Sequence, residues 1–259
     1  MRKAIAGTIR ATIGSNAYRT LATIRRAQND AVIGRADDAL RVGLYRRWIQ
    51  PGELVFDIGA NIGNRTRVFA ALGARVIAVE PQQHCCYALR WLFKFQPRVK
   101  VICAAASRDN CPRRLTQFST DTVSSLSCEW IVATEQSGRF GQRTRVAEFD
   151  VQCVTVDDLI CKFGTPVFTK IDVEGHELEV LMGLGSAAGT ISFEVTPELP
   201  QRSRLCVDRL ESLGYRWFQF SIGESMQLGD RWLDAFSMRE YLLETSEFGD
   251  VYALSPSVG

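Results

Sequence analysis

The 259-residue chain has no run of about 18 apolar residues, which excludes a conventional membrane-spanning helix. Its first residues lack the continuous apolar core of a secretory signal. Histidine is scarce, with only His84 and His176. The eight cysteines (85, 86, 103, 111, 128, 153, 161 and 206) contain no CxxC pair and no Cys/His spacing suited to zinc. Cys103 and Cys153 lie in apolar runs, where a reduced thiol packs as a small hydrophobe, so a cytoplasmic location is expected. Adjacent Cys85 and Cys86 would point in different directions on a helical turn, which argues against a redox pair. A net charge of +2 is too small to imply a nucleic-acid partner. No repeat or low-complexity segment is visible.

What is present is ordinary globular composition, 46% hydrophobic and 23% charged, enough for one large α/β domain with an added segment. Two regions are expected: a basic amphipathic helical arm over 1–35 and a principal domain over 36–259. From Met1 to Asn29 there is no acid, while Arg2, Lys3, Arg10, Arg19, Arg25 and Arg26 alternate with Ile5, Ile9, Ile13, Leu21 and Ile24 at roughly helical intervals. Gly7 and Gly14 weaken an isolated helix, which favours packing on the chain's own domain or on a second subunit as a homo-oligomer. A weak membrane-surface contact and an organelle-targeting segment are the other readings.

Beyond the arm, apolar runs and amphipathic segments alternate as in a doubly wound, mostly parallel seven-stranded sheet. Strands are expected near 53–58, 75–80, 99–104, 167–172, 190–195, 215–221 and 250–254, the last two forming an edge with one antiparallel member. Helices are expected near 36–49, 64–72, 83–95, 157–163, 176–184, 200–213 and 238–245. The stretch from about 107 to 151 breaks this alternation and is too long for a plain connection. It holds an extra strand candidate at 113–118, and its position beside the cleft suits a substrate lid. Ser124 and Ser125 in it could meet an acceptor or satisfy nearby backbone groups.

The most informative segment is Glu53-Leu-Val-Phe-Asp-Ile-Gly-Ala-Asn-Ile-Gly63, followed by Arg75-Val-Ile-Ala-Val-Glu-Pro81. Gly59 and Gly63 allow a sharp turn against which a ligand can lie, and the helix that follows offers unpaired N–H groups. Glu80, ending the next strand, can accept both hydroxyl protons of a ribose and would repel a 2′-phosphate, so NADP is disfavoured. The dinucleotide fingerprint fails at two places, where Asn61 and Thr66 stand instead of glycine. S-adenosylmethionine carries an ammonium and a sulfonium, for which Asp57 is a suitable electrostatic neighbour.

Five segments, Asp57-Ile-Gly-Ala-Asn-Ile-Gly63, Val79-Glu-Pro81, Ser124-Ser-Leu126, Val156-Asp-Asp-Leu159 and Lys170-Ile-Asp-Val-Glu-Gly-His-Glu-Leu-Glu-Val-Leu181, together resemble the FkbM family of S-adenosylmethionine-dependent methyltransferases. The resemblance runs from about 50 to 198. It implies a class I methyltransferase (Rossmann-like) fold and methylation of a hydroxyl on a sugar or secondary metabolite, with a small-molecule or glycan acceptor. A nicotinamide-dependent oxidoreductase and a non-catalytic cofactor-binding module are the alternatives.

The chemistry is expected at Lys170-Ile-Asp-Val-Glu-Gly-His176. Strand alternation would put Asp172 and Glu174 on one side, and Gly175 would turn the chain into a helix carrying His176 on its first turn. An alcohol's proton must be removed as it attacks the methyl carbon. His176 is a candidate base and Asp172 its competitor. Glu194, in Ser192-Phe-Glu-Val-Thr-Pro197, is expected in the same crevice. Asp172, Glu174, Glu194 and His176 could also hold a divalent ion, the less favoured reading because strand-tip acids bind sugar hydroxyls directly. Gly223 to Phe248 lies outside the shared motifs, and its aromatics suit either an acceptor pocket or core.

Overall fold

The computed structural model describes residues 15–33, 35–120 and 123–254. The earlier part of the basic arm, with Arg2, Lys3, Ile5, Gly7, Ile9, Arg10, Ile13 and Gly14, lies outside the described residues. Seven strands form the main sheet: β1 (Leu54–Ile58), β2 (Arg75–Val79), β3 (Val99–Ile102), β8 (Phe168–Ile171), β9 (Thr190–Val195), β10 (Phe218–Ile222) and β11 (Gly249–Ala253). Their order is β10-β11-β9-β8-β1-β2-β3. Neighbours run parallel except β11, which is antiparallel to both β9 and β10. This is the mostly parallel Rossmann-like sheet expected from the sequence, with its antiparallel member inserted one place in from the edge.

Period-two alternation divides the core. Leu54, Phe56, Ile58, Ile77 and Val79 face one side, where α6 (Val156–Phe163), α7 (Glu177–Met182), α8 (Pro200–Ser212) and α9 (Ala235–Glu244) supply Leu159, Val180, Leu181, Val207, Leu210 and Met238. Val55 and Val76 face the other, against α2 (Arg35–Tyr45) and α3 (Asn64–Ala71) through Leu44, Tyr45, Val68 and Phe69. Trp48 stacks between Phe168 and Tyr252, with centroids 5.6 and 5.4 Å away. Helix boundaries follow local chemistry. Thr155 and Asp158 cap α6 reciprocally, Pro200 opens α8, and the Asp234 side chain accepts from Ser237 N at 2.8 Å to start α9.

α1 (Ser15–Ile33) packs along α4 (Gln83–Leu92). Its buried contacts come from Thr23 and Ala27, whereas Leu21, placed on the apolar face by the sequence pattern, is 57% exposed. Ala27 meets Ile62 and Cys85, joining this helix to the loop after β1 and to α4.

The long segment before β8 is built, not irregular. Short β4 (Ala105–Ala106) and β7 (Cys153–Val154) pair in parallel, and β5 (Arg113–Phe118) pairs antiparallel with β6 (Arg145–Val151). Between them, α5 (Cys128–Ser137) starts at Ser127, whose hydroxyl accepts from Trp130 N at 3.1 Å, and stops at left-handed Gly138. β5 matches the sequence expectation, while α5 and β6 were not foreseen. Among the described residues, no helix is long and apolar enough to cross a membrane.

Candidate active site

The carboxyl ends of β1, β2, β8 and β9 open on one cavity of about 270 Å³. Asp57, Gly59, Asn61, Glu80, Asp172, Glu174 and Glu194 line it, with Arg41, Arg65 and Glu224 beside them. It lies at a site where ligands bind open α/β sheets.

Asp57, next to last in β1, is buried, its carboxylate accepting from the Thr66 hydroxyl. Burial pushes its pKa up to about 6, opposed by the Thr66 bond and by Arg65. Glu80, also buried, accepts from Gln82 N at 2.8 Å and from Asn61 N at 2.9 Å. Burial raises it to about 7 against those two bonds. The Gln82 side chain also bonds to it, and of the roughly four acceptor positions of a carboxylate one remains for a ligand hydroxyl. Asn61 adopts a left-handed φ of 48°, and its side-chain oxygen accepts from Arg26 of α1 at 3.1 Å.

The two glycines of this loop serve packing more than ligand approach. A Cβ on Gly59, whose φ is +85°, would stand 1.7 Å from the Asp172 carbonyl oxygen, so this position lets the loop cross the tip of β8. A Cβ on Gly63 would lie 2.8 Å from Leu89 and 2.9 Å from Phe93 of the α4 region. Gly63 is not part of the cavity wall, because its open side faces that packing.

Asp172 and Glu174 do share a side, but for a different reason from the one expected. β8 ends at Ile171, and Glu174 turns into the cavity on a left-handed φ of 55°. One carboxylate oxygen from each of Asp172, Glu174 and Glu194 lies within 4.8 Å of the others. Burial, then the neighbouring Asp172 charge, raises both Glu174 and Glu194 well above the usual carboxylate range. Lys170, fully buried, stands 3.2 Å from Asp172 and 2.8 Å from Asp250 on β11. Although burial opposes its charge, the two carboxylates hold its pKa above the ordinary lysine value.

His176 does not join this group. It opens α7 facing a separate groove beside Arg113, Glu179 and Arg202, with Nε2 3.1 Å from Ser107 Oγ. Burial, aided by nearby arginines against the pull of Glu179, lowers its pKa to about 4. The expected convergence of three titratable groups is therefore met by Glu194 in place of His176. Ser125 donates to the Glu174 carbonyl at 2.6 Å, and Ser124 accepts from Phe118 N at 3.3 Å, so both serve backbone groups. The sequence reading missed Arg65 and Glu224, which meet at 2.8 Å. Arg65 follows the glycine-bearing turn directly, whereas nothing local marks Glu224.

The residues suit the cofactor that the sequence implied. Six carboxyl groups (Asp57, Glu80, Asp172, Glu174, Glu194, Glu224) and two guanidinium groups line the cavity, so that even with Glu174 and Glu194 shifted towards their neutral forms the acids outnumber the guanidinium groups and favour a ligand of net positive charge. Among the described residues, Arg65 Nε and Glu194 Oε2 are buried without a hydrogen-bond partner, one donor and one acceptor for a ligand bearing both kinds of group.

The fold and this strand-end cleft are those of an S-adenosylmethionine-dependent methyltransferase. The chain belongs to the methyltransferase FkbM domain family, which matches residues 57–227. This sets aside the nicotinamide alternative. No curated protein sequence matches the chain. Similar solved structures include a TehB-like methyltransferase from Corynebacterium glutamicum (11% identity, 91% of this chain and 97% of that one, TM-score 0.47). A precorrin-6y C5,15-methyltransferase from Geobacter metallireducens has 13% identity, 84% and 87% coverage and a TM-score of 0.43. Fibrillarin from Aeropyrum pernix, solved with natively bound S-adenosyl-L-methionine, has 10% identity, 79% and 67% coverage and a TM-score of 0.42.

Proposed function

We propose that this methyltransferase acts on oxygen, methylating a hydroxyl of a sugar or secondary metabolite, with Asp172 taking the hydroxyl proton. The observation that carries the reading is the group of three strand-end carboxylates, Asp172, Glu174 and Glu194, on one cavity wall. When bound, the cofactor supplies an activated methyl group on a sulfonium. Glu80 would hold the ribose diol, Asp57 the ammonium and Arg65 the carboxylate of its amino-acid end. Asn61 and Gly59 shape the turn beneath it, and Gly63 supports that turn from behind.

Displacement from sulfur is in-line, so the protein chiefly positions the acceptor oxygen. Burial and the neighbouring Asp172 charge favour the protonated forms of Glu174 and Glu194, in which each can donate a hydrogen bond to an acceptor oxygen. Asp172, oriented by Lys170, accepts the departing proton. His176, buried against Ser107 and away from the cavity, is read as a structural residue. Lys170 already places a positive charge beside Asp172, so turnover should survive a chelator; loss restored by a divalent ion would reinstate the metal reading.

The segment 107–151 is read as the acceptor wall or lid, because Leu115, Ser124 and Leu126 from it line the cavity. The described part of the arm over 1–35, α1, is read as a packed appendage of the domain 36–259. Eight unpaired cysteines support a cytoplasmic setting.

The test is turnover of a panel of hydroxylated acceptors, with the methylated atom assigned by NMR. Asp172→Asn should lower turnover by roughly 10² to 10⁴, the usual worth of a general base, while S-adenosylhomocysteine affinity is retained. A methyl group found on nitrogen or carbon would overturn the hydroxyl assignment. An affinity loss without a turnover loss would move Asp172 from acceptor to cofactor.

A further inference from the structure

We propose that the outward face of α4 and the turn after it form an interfacial surface that seats the protein on anionic lipid. α4 turns Cys85, Cys86, Ala88 and Leu89 inward, where all are buried. Its other side carries Tyr87, Trp91 and, just past the helix, Phe95, which are 47, 41 and 83% exposed. Tyr87 and Trp91, four apart, lie on one face of the helix, and Phe95 on the turn after it is brought beside Trp91 by Lys94, which approaches both rings. Arg90 in the last turn and Lys94 and Arg98 just beyond it are all exposed, adding cations to the same end of the helix. The Lys94 ammonium lies 5.3 Å from the Trp91 ring centre and 4.8 Å from that of Phe95, so charge and aromatic surface are interleaved.

Charge distribution decides what would cover this face. Between Glu80 and Asp109 the chain has no acidic residue, although acids and bases are nearly balanced overall at +2. α1, packed along α4, adds exposed Arg25 and Leu21 from a second acid-free stretch. Exposed rings set among cations suit the headgroup level of a bilayer, where rings sit at the boundary and cations meet anionic lipid. A second copy docked by two-fold symmetry would bring the same cations together, which disfavours self-association.

The test is co-sedimentation of the full chain with vesicles of phosphatidylcholine alone and of phosphatidylcholine with phosphatidylserine. Binding should require phosphatidylserine and weaken with added salt. Trp91→Ala/Phe95→Ala should abolish it, and Arg90→Gln/Lys94→Gln should weaken it by about fivefold for each cation removed. Unchanged S-adenosylhomocysteine affinity would show that both variants remain folded. No partition into phosphatidylserine vesicles, or partition indifferent to these substitutions, overturns the proposal. So does a sedimentation-velocity dimer, or binding of a single-stranded oligonucleotide, that is lost in the aromatic variant while vesicle binding is absent.

Discussion

At the scale of single residues, the informative groups are acids held in an unfavourable place. Glu80 keeps a raised pKa of about 7 although two backbone N–H groups donate to it, so burial outweighs both bonds. Glu80→Gln turns one accepting oxygen into a donor facing an N–H and should weaken S-adenosylmethionine binding by about 1–3 kcal/mol by calorimetry. The pH dependence has a definite sign. Below about 7 the carboxyl is increasingly protonated and attracts the cation less, so affinity should strengthen as pH rises from 6 to 8. In Glu80→Gln that part of the profile should flatten; an unchanged slope would place the titrating group elsewhere. Asp57 and Glu80 were legible because each stands at the carboxyl end of an apolar strand, where a carboxylate needs a use. His176 was misplaced because sequence fixes its distance along the chain but not the turn at Glu174, whose left-handed backbone separates it from the carboxylates.

At the scale of elements, the parallel strands and their helices could be read from hydrophobic period, whereas the insertion could not. α5 carried signals in Ser127 and Gly138, but its apolar pattern is short, and its place depends on Trp130 fitting against Gly175. A Cβ on Gly175 would lie 2.4 Å from Trp130 Cβ, at a φ of +86°. Gly175→Ala should therefore destabilise the protein by roughly 2–5 kcal/mol, combining left-handed strain with overpacking. Trp130→Ala should cost less in that background than in the native chain, which a double-mutant cycle in denaturant would measure. Additive losses would mean that α5 shifts freely over the β8 tip. The link between β8 and β11 is of another kind. Lys170 reaches past β9 to Asp250, a pairing invisible in sequence because the partners are far apart along the chain and meet only through sheet order. Lys170→Met would leave its two carboxylates without a buried counter-charge and should cost about 3–5 kcal/mol in urea unfolding.

At the scale of the whole molecule, the cavity collects carboxyl groups that folding deprives of water, and this sets how the ligand-free protein responds to pH. Asp57 rises from 3.8 to about 6 and Glu80 from 4.5 to about 7, as does Glu177, which lies outside the cavity and accepts from Val173 N and Gly175 N. Each binds a proton more tightly when folded, so each contributes stability that is complete below its unfolded pKa and is lost as pH climbs through its folded one. His176 works in the opposite sense. Its pKa falls from 6.5 to about 4, so it favours the folded state increasingly as pH rises over that interval. His176, together with Cys103, whose thiol the hydrogen bond with Cys86 lowers from 9.0 to about 7, opposes three carboxyl groups, and Glu174 and Glu194 shift in the same direction as the three. The raised carboxyl groups outnumber these opposing groups across pH 5 to 7.5, so stability is expected to decline as pH increases. Thermal melts of ligand-free protein should therefore show a higher Tm at pH 5 than at pH 7.5. Saturating S-adenosylmethionine should raise Tm more at pH 7.5, where the ionised acids meet its charges. A Tm that instead increases with pH without ligand would mean that these acids stay ionised throughout the range, through water or a cation in the cavity. In that event the stability argument fails and the rise of affinity from pH 6 to 8 should vanish with it, while carboxylates ionised throughout would still attract the cofactor's cationic end.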